Sequence, residues 1–151
     1  MADNPETHAS VGAWAKRYHL ANRAAIESIL RPYDLGSTQW AVVYQLAHDG
    51  AMVQRDLGRI LNIERATLSA IVTTLVRKGL VEQRADTVDQ RQRILELTEA
   101  GRNLWANLPD PVAVSQAMSF EDADPDDLAV AVRVLQRATE RLTQQLQQPS
   151  T

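Results

Sequence analysis

The chain has 151 residues, no cysteine and a formal net charge of −3. Without thiols, thiolate zinc sites, thiol catalysis, thiol redox sensing and a disulfide scaffold are all excluded. An apolar share of 44% with 5% aromatics describes a globular protein with an aliphatic core, of a size for one domain or one compact domain plus an appended element.

In chain order, the first expected helix is SVGAWAKRYHLANRAAIESILR over residues 10–31. Val11, Trp14, Tyr18, Ala21, Ala25 and Ile29 form one stripe at intervals of three and four, and Pro32 ends it. Gly36 is read as the turn and Ser37 as the N-cap of a second helix, TQWAVVYQLAH, which stops at Asp49-Gly50. Met52-Val53 has room for only a fragment of strand. QRDLGRIL then makes a short helix that Asn62 stops in the left-handed conformation.

The next helix, ERATLSAIVTTLVRKG, buries Leu68, Ile71, Val72 and Leu75 on one stripe. Its opposite face carries Ala66, Ala70, Thr73 and Arg77, flanked by Thr67, Ser69 and Thr74. That face is small and hydroxylated. A helix entering a DNA major groove needs short donors, methyls and nothing bulky, although packing against another protein helix also favours small residues. Gly79 ends the helix, and LVEQR and RILELT read as two strands joined by ADTVDQRQ. Helix, tight turn, helix and hairpin is the order of a winged helix-turn-helix. Gly58 suits a close helix crossing within it.

Thr98 is expected to cap TEAGRNLWANL, which Pro109 and Pro111 interrupt. A loosely patterned acidic stretch leads to an Asp124 N-cap with Pro125 at the first helical position. The last helix, DDLAVAVRVLQRATERLTQQL, places Leu128, Ala131, Leu135, Ala138 and Leu142 on an apolar seam that needs a partner, expected to be a second subunit. The fold class is therefore mainly α with a small β-hairpin wing: a winged helix-turn-helix plus N- and C-terminal dimerisation helices. The expected organisation is a single domain over 1–151, with the DNA-binding lobe at 36–98 and a helical dimerisation lobe at 10–33 and 99–146.

Charge is distributed unevenly. Residues 54–93 hold eight Lys/Arg against five Asp/Glu, a net +3, so the remainder carries −6. One face could meet phosphate while the rest stays acidic.

LGSTQWAVVYQLA, RDLGRILNIERATLSAIVTTLVRKGLVEQR and DQRQRILELTEAG together resemble, in order and over nearly the whole chain, the MarR family of bacterial transcriptional regulators. Asp89, Arg91, Leu97, Thr98 and Gly101 match the wing signature of that family. The resemblance implies a homodimer whose first and last helices interlock and which presents two recognition helices to a roughly palindromic double-stranded DNA operator. It implies that Arg91 enters the minor groove with Asp89 holding its side chain. A narrow groove concentrates negative potential, and a pinned guanidinium loses less entropy there; the alternative is a surface ion pair of little worth. The DNA-contacting set is then Gln54, Arg55, Arg65, Thr67, Ser69, Ala70, Thr73, Thr74, Arg77, Asp89, Arg91 and Arg93. Ala70 and Thr74 stand where the family often carries a longer basic side chain, and the Pro109–Pro111 interruption departs from its usual long fifth helix.

The family also implies a small ligand between the dimer helices and the DNA-binding lobe. Here that junction would draw on Trp14, Arg17, Tyr18, Trp40, Tyr44 and Trp105, and an arginine beside aromatic walls suits a small aromatic or anionic compound. The alternative is that these rings fill the core.

No catalytic residues, metal site or cofactor are expected. His8, His19 and His48 are scattered, and nucleophile-elbow, phosphate-loop and HExxH patterns do not occur. A metal sensor using His19 or His48 with a carboxylate is weighed against a surface or core histidine. A winged-helix module that binds protein is the rival to a DNA-binding one, and a ligand-independent regulator is the rival to a ligand-released one. The opening MADNPETHAS has no signal-peptide pattern and no run approaches 18 apolar residues, so a soluble, cytoplasmic protein without a membrane partner is expected.

Overall fold

The structure, a computed structural model, describes residues 9–147; His8 lies outside them. The chain forms two compact units, one ending at Ser115 and the other beginning at Gln116.

The first unit opens with helix α1, Val11–Leu30, whose N-cap Ser10 accepts from the Ala13 N–H at 3.2 Å. A 3-10 turn, Arg31–Tyr33, leads to α2, Ser37–Asp49. The cap of α2 differs from the sequence reading. Gly36, in extended backbone, is the N-cap, and Ser37 is already helical, its hydroxyl donating to Glu27 at 3.1 Å. The left-handed turn residue is Asp34, at φ 54°, not Gly36. Asp34 takes this conformation because a short polar side chain tolerates it, and the helix start slips one residue accordingly.

β1 (Met52–Val53) precedes α3 (Gln54–Leu61), which Asn62 closes at φ 51°. Helix α4, Arg65–Arg77, follows after a tight turn. A Cβ on Gly58 would lie 3.3 Å from Leu68 Cδ2 and 3.4 Å from Ile63 O, so α3 needs a minimal residue at that crossing. β2 (Val81–Ala85) and β3 (Arg93–Leu97) form the antiparallel hairpin, with Val81 opposite Leu97 and Ala85 opposite Arg93. β1 adds to the far side of β3, giving the order β1-β3-β2.

The core is aliphatic: Leu30, Val42, Val43, Leu46, Leu57, Leu68, Val72, Leu75, Val81 and Leu95 are all buried. α4 thus inserts one face into the core and leaves the other to solvent. Thr98 caps α5 (Glu99–Asn107), accepting from the Gly101 N–H at 3.0 Å while donating to Gly79 O at 2.6 Å. These two hydrogen bonds fasten the entry to the hairpin to the start of α5. Gly101 makes the junction achievable, since a Cβ there would fall 2.1 Å from Leu80 O.

Residues after Pro109 are not loosely patterned, as the sequence suggested. Pro111–Ser119 forms a helix, α6. Asp110 caps it, accepting from the N–H groups of Val112 and Ala113 at 3.0 Å each. A proline at the first helical position starts a helix as readily as an internal one breaks it. Ser115 is buried and donates to Asn22 Oδ1 of α1 at 2.5 Å.

In the second unit α7 spans Pro125–Gln147, and the Asp126 N–H donates to Asp124 at 2.8 Å, the expected cap. Its seam is uncovered: Leu135 is 41% and Leu142 63% exposed. Among the described residues no helix is long and apolar enough to cross a membrane.

Candidate nucleic-acid interface

Helix α4 reaches its site already capped. The Glu64 carboxylate accepts from the N–H groups of Ala66 (3.1 Å) and Thr67 (3.2 Å) and from the Thr67 hydroxyl (3.3 Å). The backbone N–H of Ala66, with that of Thr67 behind it, holds this carboxyl below the ordinary glutamate range.

The outward face of α4 carries the residues read from the sequence. Arg65, Ala66, Thr67, Ser69, Ala70, Thr73 and Arg77 are exposed, and Thr74 is half-buried. Their chemistry differs from a row of free donors. The Thr73 hydroxyl donates to Ser69 O at 2.9 Å and the Thr74 hydroxyl to Ala70 O at 3.1 Å. A hydroxyl has one proton, so these two threonines offer outward a methyl and an acceptor lone pair. Ser69, Arg65 and Arg77 are the donors left on this face.

The wing is built by its two aspartates. Asp86 accepts from the Val88 N–H at 3.2 Å; Asp89 accepts from the Arg91 N–H at 3.0 Å and from the Gln92 side-chain amide at 3.2 Å. The Asp86 N–H donates to Gln92 O at 3.0 Å, closing the loop. Both carboxylates are thereby engaged by the loop's own N–H groups. Asp89 was expected to hold the Arg91 side chain; it holds the Arg91 backbone instead, and among the described residues no ion pair joins the two. Arg84, Arg91 and Arg93 are exposed, and Val88 at the apex is 92% exposed.

A cleft of about 630 Å³ separates the wing from the start of α4. Gln54, Arg55, Arg65, Asp89, Arg91 and Arg93 all line it, so the structure brings these expected residues together. Arg59, which sequence reading missed, lines it as well. Its signal was its spacing: Arg59 stands four residues after Arg55 on the same helical face. Asp56 moderates both, 3.8 Å from Arg55 and 3.5 Å from Arg59. Gln54 accepts from the Gln83 amide at 2.7 Å, tying α3 to β2.

The residues expected around a ligand fall into two groups. Trp40, Tyr44 and Trp105 cluster, with ring centroids 5.2 Å apart for Trp40–Tyr44 and 5.7 Å for Tyr44–Trp105. His48, weighed from the sequence only as a metal-sensor residue or a surface or core histidine, stacks on Tyr44 at 4.1 Å. Residues 40, 44 and 48 recur every fourth position, a stripe that would have revealed it. Trp40 Nε1 is buried and meets no acceptor among the described residues. The other group is Trp14 and Arg17, whose guanidinium lies 4.9 Å from the indole centroid, with Tyr18 exposed on the same helix. Among the described residues no group of three or more His, Asp or Glu could hold a metal ion.

Residues 33–92 match the model of the MarR family. The chain is similar to the transcriptional regulator FarR of Neisseria gonorrhoeae, 30% identical over 70% of this chain and 72% of that protein. It spans between 55% and 72% of the first curated relatives it matches. Among solved structures it resembles PcaV of Streptomyces coelicolor in complex with its natural ligand (24% identity, 93% of this chain and 97% of that one, TM-score 0.74). It also resembles a mutant MarR of E. coli complexed with operator DNA (18% identity, 91% and 99%, TM-score 0.81). Capped helix α4, three-stranded sheet and matched sequence agree: this chain belongs to the MarR family of winged helix-turn-helix transcriptional regulators.

Proposed function

We propose that the chain is a homodimeric regulator that binds a roughly palindromic operator, with α4 in the major groove and the wing in the minor groove, and that a small aromatic or anionic ligand releases it. The observation that carries the DNA reading is the cleft itself. Five guanidinium groups from α3, α4 and β3 and its loop border one concave surface in an acidic chain. Phosphate neutralisation by such groups supplies affinity, and the small face of α4 permits close approach to base edges. The operator-bound mutant MarR of E. coli shares this fold. The dimer reading rests on the exposed apolar faces of α1 (Val11, Trp14, Tyr18) and, separately, α7 (Leu135, Leu142).

The ligand reading rests on the Trp40–Tyr44–Trp105 cluster, its unpartnered indole N–H, and the cation beside Trp14. The similar PcaV is seen with its natural ligand.

The deciding experiment is a gel shift of the purified chain on its own upstream region across a salt series. Affinity should fall linearly on a log–log plot, each phosphate contact steepening the slope by roughly 0.9. Salt-independent binding, or none to any duplex, sinks the DNA reading and favours a protein-binding winged helix. Titration with aromatic acids, read by tryptophan fluorescence and operator release together, tests the ligand; a 100-fold release requires about 2.7 kcal/mol of coupling.

A further inference from the structure

The chain has fourteen arginines and two lysines, and one of those lysines occupies a singular place. Lys78 is the C-cap residue of α4. Its side chain crosses to the turn between α1 and α2. There the ammonium donates to Asp34 O, donates to Gln39 Oε1 at 3.1 Å, and lies 3.3 Å from Asp34 Oδ2. An ammonium has three N–H donors, and three oxygens surround this one. The side chain is only 24% exposed, unlike the arginines of the cleft. Gln39 also accepts from the Gly36 N–H at 3.5 Å, and Ser37 donates to Glu27 of α1 at 3.1 Å. The turn held by Lys78 is therefore itself bound to the end of α1.

We propose that Lys78 is a positioning residue for DNA recognition: it latches the end of the recognition helix to the α1–α2 turn and so sets the angle at which α4 meets the groove. The inference rests on the DNA-binding reading above. Lys78 acts through α4 and does not touch phosphate. A guanidinium holds its donors in a rigid planar fork, where an ammonium has three rotatable N–H groups, so Lys78→Arg should not reproduce this set of contacts. α1 carries the exposed apolar stripe, and the latch passes its position to α4 directly.

The test uses the full-length chain with Lys78→Met, which keeps the stem and removes all three donors, and Lys78→Arg. Binding is measured well below the melting temperature on the duplex that the parent prefers from a random pool. Lys78→Met should bind about tenfold more weakly with an unchanged salt slope, and Lys78→Arg should not restore binding. The absence of cysteine allows one spin label at Val76→Cys, and the label-to-label distance in the dimer should broaden in Lys78→Met. A slope lowered by roughly 0.9 would make Lys78 a phosphate contact. Unchanged affinity with only a lower melting temperature would make it a structural cap. An unbroadened distance would mean no latch. Each of these overturns the proposal, whereas a parent that selects no duplex from the pool overturns the DNA reading itself.

Discussion

The Asp89 carboxylate accepts from the backbone N–H of Arg91 at 3.0 Å, and the Arg91 guanidinium is in no ion pair among the described residues. The aspartate therefore shapes the loop and leaves the arginine's charge outside any ion pair among the described residues. Asparagine offers the same acceptor, so Asp89→Asn should bind operator within about twofold of the parent. Asp89→Ala should lose about fivefold, since roughly 1 kcal/mol of loop order goes with the bond. Arg91→Ala should weaken binding and flatten the salt slope. Equal losses for Asp89→Asn and Asp89→Ala would restore the side-chain ion pair as the cause.

Thr73 and Thr74 spend their hydroxyl protons on their own helix, so α4 should read thymine by its methyl more than by donated hydrogen bonds. Replacing thymine by deoxyuridine in a preferred duplex removes that methyl and nothing else. One contacted methyl is worth about fourfold in affinity, and the loss should vanish in Thr73→Ser. A preferred duplex that binds equally with uracil at every position would show that this face reads no methyl.

The Glu64 cap carries a pH dependence of known sign. Its folded-state pKa is depressed, chiefly by the Ala66 N–H, so the cap contributes fully above the ordinary unfolded glutamate value. It is lost as pH falls through the lower folded value. NMR shifts of the Ala66 and Thr67 amides should titrate together with a midpoint below the ordinary glutamate value, and Glu64→Gln should abolish the step. A midpoint at or above that value would mean that the cap is not formed in solution.

Leu135 and Leu142 are exposed on α7, where a charge costs an isolated subunit little. Leu135→Glu should nevertheless shift sedimentation from dimer to monomer and abolish operator binding. Ending the chain at Asp124 should remove solubility as well. A well-behaved monomer from that truncation would show that α7 is not the dimer element.

Most of the architecture was legible because local chemistry and tertiary structure agree. Asn62 stops α3, Thr98 starts α5, and Leu95 and Leu97 alternate into the core as their spacing demands. Two misreadings have one origin, the ambiguity of chain breakers. Pro111 reads as an interruption but begins α6, because Asp110 just before it supplies a cap. Gly36 reads as the turn and Ser37 as the cap, yet Asp34 takes the left-handed turn position and Gly36, extended, is the N-cap. At the site, residue identity was legible and hydrogen-bond direction was not. Sequence shows that Thr73 and Asp89 bear polar groups; only the fold shows that each is turned back on its own backbone.

Helix α4 is held differently at its two ends. Lys78 binds its last turn to a separate part of the lobe, while Glu64 binds its first turn only to itself. Helices fray where the fastening is weakest, and local opening follows few contacts and solvent-exposed hydrogen bonds. Fraying of α4 should therefore run from Arg65 toward Arg77, with amide exchange fastest in the turn that borders the wing cleft. The end of the helix nearest the arginines is thus its most adaptable part, the place where one chain could accommodate operators of unequal shape.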